Sequence, residues 1–352
     1  MTKSLLPALA LTLAALTARA GELTVQLRGP ALAESAGFLL AEARGHYAEE
    51  GLTVTLRPAD GAPPFEALAR GEADLAVEWL PTALLARENG LPVVNIGQIF
   101  AHPALRLTCL RETGVAGAAD LRGKTIGSWF GGTDYPLRAW LNRLGLVPDD
   151  SLSGVALLAQ WPGAEMLRQK QAACISTLSY DPLPGEGLIE LDPRDQGASV
   201  LEDGLYVLAG QLAGPEAEAQ LAGFLRASMK GWREAAENPE ETARLILGPD
   251  PDEAAVQRQA AMLRRIGPLL SAGGALDEAE YRRTVETLRV GGSQAVLRRD
   301  PSDAFTARIS RRAAPGRGCR RCRRGTRRHA PALIRPSPSP LPPLAAAGKR
   351  GG

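Results

Sequence analysis

From residue 22 onward, short apolar runs alternate with stretches whose apolar positions recur every three or four residues. The runs predict strands over 23–27, 52–56, 74–79, 93–100 and 105–110. Between them, helices are expected over 37–47, 65–70 and 82–89, stopped near Gly51, Gly71 and Gly90. The polar, glycine-containing segment 111–123 reads as a boundary. A second unit of the same kind follows, with strands over 124–129, 155–159, 174–179 and 188–191 and helices over 137–144 and 164–170. A last strand near 205–209 returns the chain to the first unit. The remainder is helical (215–238, 239–247, 253–266, 278–288), with Leu221, Phe224, Leu225, Met229 and Trp232 on one face of the longest helix. Strand–helix alternation of this kind implies an α/β fold of two mostly parallel sheets flanked by helices, with a helical C-terminal third. The expected organisation is lobe 1 over 21–110 plus 205–308 and lobe 2 over 111–204. Hinge crossings are expected near 111–123 and 196–206.

One stretch stands out. Lys124–Pro136 (KTIGSWFGGTDYP) ends a strand in a glycine pair and opens a helix that Thr133 or Asp134 can cap. A strand that turns through glycines into a helix is a place to hold a small ligand. Trp129, Phe130 and Tyr135 bring aromatic surface to that turn.

Composition changes the picture at both ends. Residues 1–20 carry Lys3, an apolar run over 5–16 and a small-x-small site at Ala18–Ala20, the pattern of a cleaved export signal and too short for a membrane span. The mature protein is therefore expected to be soluble and exported. The net charge of +2 hides an asymmetry. Residues 311–352 hold eleven Arg, one Lys and no acid, leaving 29 basic against 39 acidic residues before them, a net of −10. An acidic body argues against a nucleic-acid partner. The stretch 309–352 is expected to be a disordered Arg/Pro-rich tail, either a basic arm for an anionic surface or the product of a shifted reading frame. Cys109 and Cys174 lie in strand-like contexts and could pair in an oxidising compartment, though spacing does not require it. Cys319-Arg-Arg-Cys322 lacks the ligands of a zinc site, and no metal or cofactor is expected.

The segments 36–54 (AGFLLAEARGHYAEEGLTV), 71–100, 121–140 and 224–241 (FLRASMKGWREAAENPEE) closely resemble a known group. It is the periplasmic substrate-binding family of ABC importers related to the thiamine-pyrimidine synthases, which includes taurine and alkanesulfonate binders. The likeness runs from about 22 to 308, with GSWFGGTDYP its most specific part. It implies a bilobed periplasmic-binding fold of type II, a monomer that delivers a solute to an inner-membrane permease, and for this branch a hydroxymethylpyrimidine-like thiamine precursor. In the related synthase a lysine holds pyridoxal phosphate, a histidine four residues later is consumed, and a cysteine cluster binds iron. The resemblance places Glu78 at the lysine, Thr82 at the histidine and Leu201–Tyr206 at the cluster. A carboxylate cannot form a Schiff base, so enzyme activity is not expected. The chain also departs from its relatives at Arg28-Gly29-Pro30, where they carry an aromatic residue, and after Tyr180, where a segment looks shortened.

A bilobed binder holds its ligand at the carboxyl ends of the strands. That rule selects Glu34 and Ser35, Glu78 and Trp79, and Gln98 and Phe100 from the first lobe. From the second it selects Ser128, Trp129, Phe130, Gly131, Gly132, Tyr135, Gln160, Trp161, Tyr180 and Asp181, with Glu202 and Asp203 at the return crossing. Aromatic rings plus carboxylates suit a flat, amine-bearing heterocycle better than a sulfonate. In the closed state, reached by hinge closure, the ligand is expected to be buried between Glu78/Trp79 and the Trp129–Tyr135 turn. A synthase-type enzyme and a taurine or sulfonate receptor are the alternatives.

Overall fold

The computed structural model describes residues 21–59, 63–148, 154–160 and 163–314. The expected export signal, Trp161, the Cys319–Cys322 pair and the expected tail beyond Ala314 lie outside the described residues.

Among the described residues, ten strands form two five-stranded sheets. The first joins β1 (Gly21–Gln26), β2 (Leu52–Arg57), β3 (Leu75–Trp79), β4 (Val93–Gln98) and β10 (Asp203–Leu208) in the order β2-β1-β3-β10-β4. The second joins β5 (Leu105–Leu110), β6 (Thr125–Ser128), β7 (Ala156–Ala159), β8 (Cys174–Leu178) and β9 (Leu188–Leu191) in the order β7-β6-β8-β5-β9. In the first sheet only β10 runs against its neighbours β3 and β4. In the second, β5 pairs antiparallel with β8 and β9, while β6 is parallel to β7 and β8. The antiparallel strands β5 and β10 are those that arrive directly from the other sheet, without a helical crossover to reverse them.

Alternation along β3 shows why its sequence is apolar but for Glu78. Leu75 and Val77 face a core built with helices Ala36–Ala43 and Pro215–Glu237, while Ala76 faces a second core with helices Pro64–Ala69, Leu80–Glu88 and Glu278–Leu288. A strand covered on both faces has no polar side to show. Phe38, Phe100 and Phe224 lock around Tyr47, Trp232 and Tyr180 through stacked and edge-on ring contacts. The second sheet packs Ile126, Cys109 and Cys174 against Leu137, Trp140 and Leu141 of the helix Tyr135–Arg143.

Two expected boundaries move. Leu105–Leu110, placed with the first lobe from sequence, hydrogen-bonds in the second sheet, so the chain first crosses over residues 99–104 and not 111–123. Its partner β8 lies far along the chain, and local pattern carries no information on that pairing. Residues 309–313 also do not belong to a structureless tail. Arg308–Ala313 is a helix whose Ile309 and Ala313, four residues apart, are buried in the first core. An isolated bridge from Asn95 to Phe305 guides the chain there.

Cys109 of β5 stands directly opposite Cys174 of β8, and the two form a disulfide 65 residues apart in sequence. Peptide mapping of unreduced protein is expected to return these two cysteines in one linked pair. Alkylation of both without prior reduction would exclude the bond.

Candidate functional site

The carboxyl ends of β1 and β3, the start of β10 and the loop after β8 converge on Arg28. Antiparallel register sets Asp203 opposite Trp79 and Gly204 opposite Glu78. Arg28 follows β1, and its Nε donates to Asp203 Oδ1 at 2.9 Å. Its Nη2 lies 3.8 Å from Glu34 Oε2, and its guanidinium carbon sits 4.9 Å from the centre of the Trp79 ring. A side chain at Gly29 would meet the Glu34 carboxylate within 1.9 Å, so glycine there lets Glu34 fold back toward Arg28. Tyr180, buried behind this group, feels Glu34, Arg28 and Asp203.

Sequence reasoning named most of this cluster but not its centre. Arg28 entered as a departure from relatives and as the lone arginine available to a sulfonate, not as the centre of the group. A basic residue after a strand ordinarily reads as solvated, and its partners are scattered over the chain. Burial works against the Arg28 charge, yet Asp203, then Tyr180, Glu34 and Glu78, hold the guanidinium firmly protonated. The carboxyls respond the other way. Burial pushes Glu78 up to about 7, against the pull of Arg28 and of the Trp79 N–H that its Oε1 accepts at 2.7 Å. Burial likewise raises Glu34, with Asp203 and Asp181 adding to the effect and Arg28 opposing it. Burial raises the Tyr180 hydroxyl well above its usual range.

Four buried polar atoms nearby have no hydrogen-bond partner among the described residues: Trp79 Nε1, Thr82 Oγ1, Tyr180 Oη and Asp203 Oδ2. Buried polar atoms are ordinarily paired, so such a group marks where a ligand or ordered water completes the set. Asp203 Oδ2 accepts, Trp79 Nε1 donates, and the two hydroxyls can do either.

Other selected residues have structural work. Gln98 Nε2 donates to the carbonyls of Phe100, Glu202 and Asp203. The Glu202 carboxylate accepts the N–H groups of Ala104 and Leu105, and burial pushes it up to about 7. Together they staple the two crossings to each other. Gln160 bonds both the N–H and the carbonyl of Ser176. Phe100 is wholly buried in the aromatic core, and Ser35 is buried at the start of helix Ala36–Ala43. Ser128 Oγ turns onto the Trp129 carbonyl.

The glycine turn adjoins this region. Gly131 and Gly132 both take positive φ, as the sequence required. A Cβ on Gly132 would lie 2.8 Å from Thr82 Oγ1, so the second sheet's turn rests directly on the first sheet's helix Leu80–Glu88. The Gly132 N–H is already given to Asp134 Oδ1, while Asp134 Oδ2 accepts from Arg138. Tyr135 is half-buried, and Phe130 is 44% exposed with Arg138 over its ring.

A cleft of about 320 Å³ opens at the carboxyl ends of β6, β7 and β8, lined by Trp129, Gln160, Ile175–Leu178 and Asp181–Pro184. Glu78 and Trp79 are not in its walls. The expected sandwich between Glu78/Trp79 and the turn is thus not what the structure presents: Trp79 is 1% exposed under Arg28, and Glu78 is closed onto its own backbone. Asp181 links the two parts, since it lines the cleft and its charge reaches Glu34.

Residues 33–242 match the family described as NMT1/THI5 like. The chain belongs to that family. It is 28% identical over 210 residues to a formylaminopyrimidine-binding protein of Halalkalibacterium halodurans, covering 58% of this chain and 63% of that protein. It is 31% identical over 91 residues to a 4-amino-5-hydroxymethyl-2-methylpyrimidine phosphate synthase of Legionella pneumophila, covering 26% of this chain and 29% of that enzyme. The matches therefore span less than two thirds of either relative's length. Among solved structures, a periplasmic sulfonate-binding protein SsuA of Methylobacillus flagellatus superposes with a TM-score of 0.60 at 16% identity, over 84% of this chain and 94% of that one. That likeness establishes a periplasmic-binding-protein fold for this NMT1/THI5-like chain.

Proposed function

We propose that this chain is the solute receptor of an ABC importer and that its solute is a flat, amine-bearing heterocycle of the aminopyrimidine kind. The observation that carries the reading is the unpartnered Asp203 Oδ2 together with Trp79, which stands opposite Asp203 in the β3–β10 register, in a cluster where carboxylates outnumber the one arginine. An aminopyrimidine offers an amine to the first and a flat ring to the second. The name of the Halalkalibacterium relative points to the same chemistry. Export to an oxidising compartment agrees with the Cys109–Cys174 bond, and among the described residues no helix is long and apolar enough to cross a membrane.

A sulfonate is disfavoured on two counts. The Gly132 N–H that would greet an anion is held by Asp134, and Arg28 is already paired with Asp203. Catalysis of the synthase type is disfavoured by Glu78, a buried carboxylate where an imine-forming lysine is needed.

A thermal-shift screen of aminopyrimidines, riboflavin and taurine tests this. A ligand at 100 times its Kd adds about 2.7 kcal/mol to the folded state and raises Tm by a few degrees. Aminopyrimidines are expected to do so. Stabilisation by taurine alone would reverse the assignment.

A further inference from the structure

Arg28 is held the way a ligand is held. Its planar cation lies over an indole ring, donates in plane to Asp203 at 2.9 Å and faces Glu34 at 3.8 Å. An aromatic face with carboxylates at its edge is the general recognition set for a flat, delocalised N–C–N cation. The rest of the surroundings repeats that preference. Glu78 lies close enough to act on the Arg28 charge, and Asp203 still has a free oxygen. The ring beneath is 1% exposed, so nothing else can stack on Trp79 while Arg28 stays. The side chain comes from the loop after β1, where the Leu27 N–H donates to the Arg57 carbonyl of β2 and the Gly29 carbonyl accepts the Ala59 N–H just beyond it.

We propose that Arg28 is a resident stand-in for the solute. Its guanidinium occupies the seat of an amidine-type cation, and binding exchanges one for the other. The solute class is thereby narrowed to molecules carrying a planar N–C–N unit that can be positive: protonated aminopyrimidines, amidines or guanidines. This rests on the receptor reading above and adds the exchange. An occupant that must leave reduces apparent affinity by the fraction of time the seat is empty, and deleting it restores that loss. If the seat is free a tenth of the time or less, Arg28→Ala gains about tenfold or more in affinity.

Calorimetric titration of the intact protein, Arg28→Ala and Arg28→Lys with methylguanidinium and with 4-amino-2-methylpyrimidine tests the exchange. Arg28→Ala is expected to take up methylguanidinium at millimolar concentration while the natural protein does not, with sodium chloride as the ionic-strength control. Its affinity for the aminopyrimidine is expected to rise about tenfold. Arg28→Lys keeps a cation between Asp203 and Glu34, and so the fold, but its ammonium cannot lie flat on the ring. It is expected to bind the aminopyrimidine severalfold more tightly than the natural protein.

Failure has a distinct signature. If the natural protein binds the aminopyrimidine and either variant loses affinity or shows no gain, Arg28 touches the solute, the exchange is wrong and the receptor assignment survives. A folded Arg28→Ala that ignores methylguanidinium also overturns the exchange. If no form binds the aminopyrimidine but Arg28→Ala alone takes methylguanidinium, the seat is as described and the choice of solute falls.

Discussion

Asp203→Ala is expected to destabilise the protein by about 3–5 kcal/mol, read as a fall in the midpoint of urea unfolding. The pair it breaks is mostly out of water: the side chains of Arg28 and Asp203 are 16% and 7% exposed. Desolvating both charges is costly, and their attraction roughly offsets that cost while they remain together. Removing the carboxylate leaves a guanidinium that cannot shed its proton. Glu34 and Glu78 relieve part of the penalty by ionising, and they then bear a desolvation cost of their own. Arg28→Ala is expected to cost less, because a stranded carboxylate can take up a proton where a stranded guanidinium cannot lose one. The double variant Arg28→Ala/Asp203→Ala should recover much of the loss, giving a coupling free energy of about 1–3 kcal/mol in a double-mutant cycle. Additive losses would mean that the two side chains do not act on each other in solution.

The fold was legible because both faces of each sheet are covered and each helix has one apolar stripe. Leu75–Val77 is apolar where two cores meet, and the stripe Leu221, Phe224, Leu225, Met229 and Trp232 lies in Pro215–Glu237 as its spacing required. Pairing was not legible. Nothing near Leu105 says that its partner is Leu178, so the first crossing was misplaced. The candidate site was half legible for a related reason. The carboxyl-end rule found Glu34, Trp79, Tyr180 and Asp203, which do converge. It also took Gln98 and Glu202, because a buried polar side chain that staples a crossing and one that awaits a ligand look alike in sequence. Arg28 escaped because its burial depends on three segments folding over it. The segments that supply Glu34, Trp79 and Asp203 carry no common motif.

Stability should rise as the solution is made acidic from pH 8 to pH 5.5, the reverse of the usual behaviour of paired carboxylates. Burial lifts both Glu78 and Glu202 from 4.5 to about 7 in the folded protein. Unfolding returns each to water, where its proton is held more weakly. Between about pH 4.5 and 7 the folded chain therefore binds more protons than the unfolded one, and stability falls with rising pH. Each group contributes roughly 3 kcal/mol, fully present below pH 4.5 and lost as pH rises through about 7. Carboxylates held low by partners, such as Asp192 and Glu280, work in the opposite direction but titrate below that window. Urea midpoints at pH 5.5 and 8 measure the slope. Glu78→Gln keeps an oxygen for the Trp79 N–H and removes the charge, so it should stabilise the protein at pH 8 and remove about half of the slope. Glu202→Gln should flatten the remainder but at a cost of about 1–3 kcal/mol at every pH, because one amide oxygen must serve the two N–H groups of Ala104 and Leu105 that a carboxylate serves with two. A slope unchanged by either variant would mean that Glu78 and Glu202 stay ionised within the fold, and that water reaches the crossings that this structure closes.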